Sequence, residues 1–290
     1  MDNSGIIHLA VLQKGFSNSF RLSVTLTETV DPQLLQKALD TVTPRFPTMV
    51  AGIQNGVFRH WVVPAEAPPE IQLDDSPLTY MQPEQIRNCA MRVLYRDTRI
   101  AVEFFHSLTD GYGGFQFLMT LLAKYLELAH GVVCASDAEL LLPNAPVEAA
   151  EIEESYAAYA GKEKARHNHV QSYQIAGGKT HEANVHVTTA VFPLNDLLQT
   201  AHVYHVTLTT LLTAVMAASI MELQTREVPE PFKSVQIMVP VNLRKRFPSE
   251  SLRNFSLYAL PCIQPGDEKL PFGILLEKVD RQLREQLSQP

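Results

Sequence analysis

The sequence predicts a mixed α/β (α+β) protein of two lobes, with mixed sheets and flanking helices. Three observations carry that expectation. Strand and helix patterns occur on both sides of a polar, proline-bearing stretch at 143–184. The first half holds a strand feeding a helix, a hairpin signal and a strand pair. The chain has 290 residues and is 46% hydrophobic, enough to fill a substantial core. The expected organisation is an N-terminal lobe over 1–142, a crossover or linker over 143–184, and the first part of a C-terminal lobe over 185–290.

Taken in order, "FRLSVTLTETV" (20–30) alternates and is rich in Thr and Val, which reads as a strand. "DPQLLQKALDTVTPRFP" follows as a helix, with Asp31 as N-cap, Pro32 at the first helical position, and Leu34, Leu35, Ala38, Leu39 and Val42 on one face. Asn55-Gly56 between two apolar runs signals a hairpin. Val93–Tyr95 and Ile100–Phe105 read as a strand pair joined by a short polar turn. In "FQFLMTLLAKYLEL", Phe115, Leu118, Leu121, Leu122, Tyr125 and Leu126 keep a helical period and predict a long helix with these residues in the core. Residues 143–184 hold few large apolar side chains and a Gly177-Gly178 pair. Beyond them, "HVTTAVFP" reads as a strand, Asn195 to Ala201 as a short helix, and 207–223 as a buried helix. "SVQIMVPVNL" (234–243) reads as one apolar strand, and the chain ends in a helical pattern.

Charge and cysteine usage exclude several classes. A formal charge of −7 and no Lys/Arg-rich run give no attraction to nucleic acid. Cys89, Cys134 and Cys262 lie far apart without a CxxC pair, so neither a disulfide framework nor a zinc knuckle is signalled, and a cytoplasmic location fits. The apolar segment 207–223 carries Thr, Ser and Glu and is read as a core helix, not a membrane span. His167/His169, His181/His186 and His202/His205 lack the flanking Cys or carboxylate pattern of a metal site, and no metal is assigned.

The stretch with chemistry in it is "EFFHSLTDGYGGF" (103–115). His106 follows a buried-strand pattern, so its ring should stand where the sheet ends, a position suited to a general base. Such a base must be neutral, with an acceptor fixing its tautomer. Asp110 is the nearest orienting partner in sequence, although four residues across a turn can aim the two side chains apart. Gly111, Gly113 and Gly114 would let the backbone turn sharply and approach a ligand closely. The same residues also fit a structural reading. His106 can be a hydrogen-bonded core or surface histidine, and Asp110-Gly111 a turn or helix cap.

"FHSLTDGYGGF" resembles the HHxxxDG motif of the coenzyme A-dependent acyltransferase superfamily, which includes chloramphenicol acetyltransferase, condensation domains of nonribosomal peptide synthetases and bacterial alcohol acetyltransferases. Phe105 stands where that motif has its first His, a departure shared by much of the superfamily. "VPVNLRKRFPSESLRNFSLYA" (239–259) resembles the segment that carries an Arg and then an Asn in the alcohol acetyltransferase branch. "FRLSVTLTETVDPQLLQKALDTVTPRFP" resembles that branch's opening strand and helix.

The resemblance implies a two-lobed, chloramphenicol acetyltransferase-like sandwich with His106 as general base in a tunnel between the lobes. It implies that Asp110 pairs with an arginine of the later strand to hold the loop. Arg244 is the expected partner, with Arg246 or Arg253 as substitutes and a solvated charge as the alternative reading of Arg244. The implied reaction moves an acyl group from acyl-CoA, such as acetyl-CoA, to a small hydroxyl or, second, amine acceptor. CoA is then a co-substrate, with no permanently bound cofactor. No counterpart of the family's DFGWG-like segment occurs in the chain, so no residue is assigned to the donor, and the second lobe is expected to be incomplete, as in a truncated chain. Two other readings stand beside this one. One is acyl transfer from a carrier-protein thioester, as in condensation domains. The other is a non-catalytic binding or assembly lobe that self-associates through its incomplete second lobe. A serine hydrolase is disfavoured because no GxSxG elbow is present.

Overall fold

The computed structural model of the chain describes residues 3–12, 18–56, 59–76, 78–133, 140–159, 171–175, 187–229 and 231–288. Cys134, Gly177-Gly178 and His167, His169, His181 and His186 lie outside the described residues. The described residues form two compact units. Those of Met1–Ala160, His181–Val187 and Asn242–Phe255 build the first; those of Gly161–Thr180, Thr188–Val241 and Ser256–Pro290 build the second. Asn242–Phe255, inside the expected C-terminal lobe, belongs with the first unit, and the reason lies in the bonds it makes there, described below.

The first unit begins with α1 (Asn3–Ala10), β1 (Ser19–Thr25) and α2 (Pro32–Val42). The strand stops at Thr25, short of the Val30 that its alternation suggested. Asp31 caps α2 by accepting from the Gln33 and Leu34 amides, and Leu35, Ala38, Leu39 and Val42 are buried. A hairpin follows, β2 (Ala51–Asn55) against β3 (His60–Pro64), with Asn55 paired to His60. Then come β4 (Gln72–Leu73), α3 (Pro83–Asn88), β5 (Met91–Arg96) and β6 (Arg99–Phe105). The main sheet has the order β1-β6-β5-β4, antiparallel except for the parallel β4–β5 pair. β6 is central, and every residue from Ile100 to Phe105 is buried.

The long helix α4 (Gly111–His130) packs on the sheet, with the Phe117 ring edge-on to Phe104 at 5.5 Å. Its buried stripe is Phe117, Leu118, Leu121 and Tyr125. Phe115, expected in the core, is 44% exposed instead. The glycines at 113 and 114 occupy the sheet-facing side one turn earlier, which turns Phe115 outward.

The other face of β6 carries a cross-strand row of charge. Glu103 lies opposite both Arg21 and Arg92, and both guanidiniums reach it at 3.0 Å. Arg21 also binds Asp74. Burial alone would raise the Asp74 carboxyl, but hydrogen bonds and charge from Arg21 and Arg99 outweigh it and hold Asp74 below the usual carboxylate range.

Part of the expected linker packs on this unit. α5 (Ala149–Ile152) and α6 (Ser155–Tyr159) are short helices, and Glu151 is buried with both oxygens 2.5 Å from the Arg45 guanidinium. A charge pair rather than an apolar stripe anchors α5, and periodicity does not register such an anchor.

In the second unit, α7 (Leu194–Val203) and α8 (Leu208–Glu227) are followed by β7 (Val235–Gln236), β8 (Val239–Asn242), β9 (Ser256–Ala259), β10 (Cys262–Ile263) and α9 (Phe272–Ser288). The apolar run at 234–243 is thus two short strands: β7 pairs with β10 and β8 with β9. The described residues of the predicted strand at 186–193 form no strand. The helix expected to be buried at 207–223 buries one side, Leu211, Ala214, Ala217 and Met221, against Leu275, Leu276 and Val279 of α9. Leu212, Val215 and Met216 on its other side are exposed. Among the described residues, α8 is the one helix long and apolar enough to cross a membrane, and 39% of that stretch is buried in the protein.

Candidate active site

β6 ends at Phe105 and delivers His106 directly beyond the sheet. The His106 amide donates to the Asn18 carbonyl at 3.1 Å, continuing the β1–β6 pairing by one residue. The imidazole is half-buried. Phe20 of β1 tilts against it at 4.8 Å between ring centroids, and His8 of α1 stacks on it at 4.2 Å with the two planes 7° apart. Phe105, in contrast, is fully buried in the apolar core.

Four residues on, Asp110 sits at the N-cap of α4 with all its lone-pair directions in use. One carboxylate oxygen accepts from the Tyr112 and Gly113 amides at 3.1 and 3.2 Å. The other accepts from Arg244 Nη1 at 2.7 Å and from the Phe255 amide at 2.8 Å. Arg244 is equally occupied. Its Nε and Nη2 donate to the Ser251 carbonyl at 2.9 and 2.7 Å, and Nη2 also donates to the Arg253 carbonyl at 2.6 Å. The Tyr112 ring covers its guanidinium at 4.5 Å. Thr109 adds a hydroxyl bond to the Leu252 carbonyl at 2.6 Å. These bonds tie 242–255 to the loop 106–110, which is why that segment belongs with the first unit.

The tie places Asn254 against the histidine. Asn254 Nδ2 donates to the His106 carbonyl at 2.9 Å, and its Oδ1 faces His106 Nδ1 at 3.3 Å. A carboxamide oxygen can only accept, so His106 Nδ1 carries a proton toward Asn254. Nε2 has no hydrogen-bond partner among the described residues. The site thus holds an imidazole with Nε2 open, oriented by an amide and standing on a loop braced by a buried ion pair.

No family model matches the chain, and no curated protein does. Solved structures do match. Polyketide synthase associated protein 5 from Mycobacterium tuberculosis aligns over 99% of this chain and 72% of its own, with a TM-score of 0.64 at 15% identity. The first condensation domain of the calcium-dependent antibiotic synthetase aligns over 99% and 74%, with a TM-score of 0.62 at 13% identity. TRI101 of F. sporotrichioides, solved with coenzyme A and T-2, aligns over 94% and 73%, with a TM-score of 0.54 at 11% identity. The chain shares the fold of these solved structures. Condensation domains share that fold, and at these identities the likeness concerns the fold alone.

Within this fold the sequence-predicted residues come together as follows. His106, Asp110 and Arg244 occupy one loop cluster of the first unit, with Asp110 bonded to Arg244 and neither Arg244 nor Asp110 directed to the imidazole. Arg246 is exposed, and the Arg253 side chain reaches toward the Ile152 carbonyl instead. Gly111, Gly113 and Gly114 do not make a sharp turn; they are the first turn of α4, with none at positive φ. A Cβ on Gly113 would lie 2.2 Å from the Leu252 carbonyl oxygen, and one on Gly114 3.0 Å from the Phe20 ring. Gly111 alone of the three faces open space. Sequence reading missed Asn254, Asn18 and His8. Asn254 lies 148 residues from its partner, so no local pattern could reveal it. Asn18 adopts a left-handed φ of 45°, which Asn tolerates better than most residues, but φ is not written in composition.

Proposed function

We propose that the chain is an acyltransferase, with His106 as the general base that activates an acceptor hydroxyl, or in second place an amine. The observation that carries this reading is the open Nε2 of an imidazole whose Nδ1 is engaged by Asn254. Nε2 takes the acceptor's proton as its oxygen attacks the thioester carbonyl. The tetrahedral oxyanion collapses, the C–S bond breaks, and the imidazolium returns the proton to the departing thiolate. No covalent enzyme intermediate forms. General-base assistance of this kind contributes about 10²–10⁴-fold. Asp110, Gly111 and Arg244 serve the architecture that holds the loop.

Acyl-CoA, acetyl-CoA in the first instance, is the proposed donor, supported by the fold shared with TRI101, which was solved with coenzyme A. The fold shared with a condensation domain favours a second reading, a carrier-protein thioester. A formal charge of −7 does not favour docking of an acidic carrier.

The test is thiol release from acetyl-CoA over a panel of alcohols and amines, with His106→Ala beside the parent. The expected outcome is acceptor-dependent release that falls about 10²–10⁴-fold in the variant while its melting curve stays put. Equal rates in parent and variant would remove His106 from the chemistry. Turnover only with a carrier-loaded acyl group would replace the donor.

A further inference from the structure

The mechanism above leaves one imidazole unused. We propose that His8 is a positioning residue for His106, and that it holds the plane of the reactive ring so that Nε2 points in one direction. The inference rests on the general-base reading of His106 and goes beyond it by assigning the N-terminal helix to the site.

Several contacts converge on this assignment. The His8 and His106 rings are stacked, parallel within 7° with centroids 4.2 Å apart, a contact that opposes rotation of His106 about its outer side-chain bond. Asn18 links the two histidines. Its Nδ2 donates to His8 Nδ1 at 2.7 Å while its carbonyl accepts the His106 amide at 3.1 Å. An amide nitrogen donates only, so His8 Nδ1 is an acceptor and His8 is neutral with its proton on Nε2. Asn18 does this from a left-handed backbone, a conformation that persists where surrounding contacts hold it. α1 is itself fastened to the residue after the histidine: the buried Ser107 hydroxyl donates to the Gly5 carbonyl at 2.8 Å.

Burial, and then the neighbouring His106, lower the His8 imidazole to about 4. His106 is the one titratable group that acts on it there. His8 therefore stays neutral beside His106 well below the range where a free imidazole protonates. With His8 on a face, Phe20 tilted against it and Asn254 at Nδ1, the His106 ring has little freedom left.

The test compares His8→Leu with His8→Phe in the full chain. Both fill the space with an apolar group, and only Phe keeps a flat ring for the stack. Side-chain ¹⁵N spectra of His106 and steady-state kinetics are read for each. The parent should show one His106 tautomer with Nε2 unprotonated. His8→Leu should shift the ¹⁵N signals toward a tautomer average and lower kcat about 10–10²-fold, with KM within about twofold. His8→Phe should return the parent spectrum and most of kcat. Parent-like spectra and kcat in His8→Leu would overturn the proposal, as would equal losses in the two variants. The ¹⁵N arm needs no turnover, so a chain that releases no thiol would defeat the acyltransferase reading while the spectra still decide the role of His8.

Discussion

His106 and Asp110 stand four residues apart on one loop and meet opposite surroundings. The Asp110 side chain is 4% exposed and accepts four hydrogen bonds, from three backbone amides and the Arg244 guanidinium. His106 is half-buried, its ring held by one amide at 3.3 Å and by two flat neighbours, with Nε2 left open. A carboxylate so fully engaged has no lone pair to offer an imidazole or a substrate. The loop thus separates its tasks: one end is made rigid by a buried charge pair, and the other keeps a basic nitrogen available. The orienting group on the histidine is neutral, so it fixes the tautomer without drawing a proton onto the ring.

The sharpest way to break that comparison is to remove one member of the charge pair. Asp110→Ala should cost about 3–5 kcal/mol, because it leaves the Arg244 guanidinium buried and unpaired. Arg244→Ala should cost a similar amount, and the double variant much less than the sum. Denaturant melts of the three variants check this. His106→Ala should leave the midpoint nearly unmoved. Equal destabilisation by His106→Ala and Asp110→Ala would erase the division of labour.

The glycines that follow sharpen the contrast. Gly113→Ala forces a Cβ to within 2.2 Å of the Leu252 backbone oxygen, the same strand segment that Thr109 and Asp110 grip. Overpacking against backbone should cost about 1–3 kcal/mol. Gly111→Ala meets nothing within 4 Å and should stay within about 0.5 kcal/mol of the parent. Paired thermal melts separate the two. At the reactive end, Asn254→Ala should reduce kcat about tenfold with little change in KM, since it frees the ring and the tautomer without touching the acceptor. A parent-like kcat in this variant would leave the orientation of His106 to its stacking partners alone.

The scaffold around this loop was largely legible in sequence where a local rule applied. Asp31-Pro32 marked the start of a helix, Asn55-Gly56 marked a hairpin, and "RVLYRDTRIAVEFF" marked two paired strands, because caps, turns and alternation act within a few residues. Elements anchored by distant partners were not. α5 is held by Arg45 against Glu151, 106 residues apart, and looked like linker for want of apolar residues. The apolar run at 234–243 read as one strand, but its two halves pair with different partners. At the site, motif resemblance supplied His106, Asp110 and Arg244. His8 carries no motif, the Asn of the 239–259 resemblance came without a role, and only the fold brings His8 and Asn254 to the imidazole.

The smallest expected effect concerns pH and separates the two stacked histidines from the carboxylate network on the sheet. His8 is neutral in the folded protein down to about 4, whereas a free imidazole protonates near 6.5. Between those values the unfolded chain binds a proton that the folded chain refuses, so this contribution is fully present above about pH 6.5 and is lost as pH falls toward 4. Asp74 behaves differently. Its folded value lies below 3.8, so its contribution is intact throughout that window and declines only in stronger acid. Amide exchange of α1, followed in parent and His8→Phe from pH 7 to 4, should show the parent losing protection relative to the variant across this range. The exchange of β1 and β6, held by Arg21, Asp74 and Glu103, should track equally in both proteins. A parent and variant that lose α1 protection in parallel would mean that His8 takes up its proton without leaving the stack.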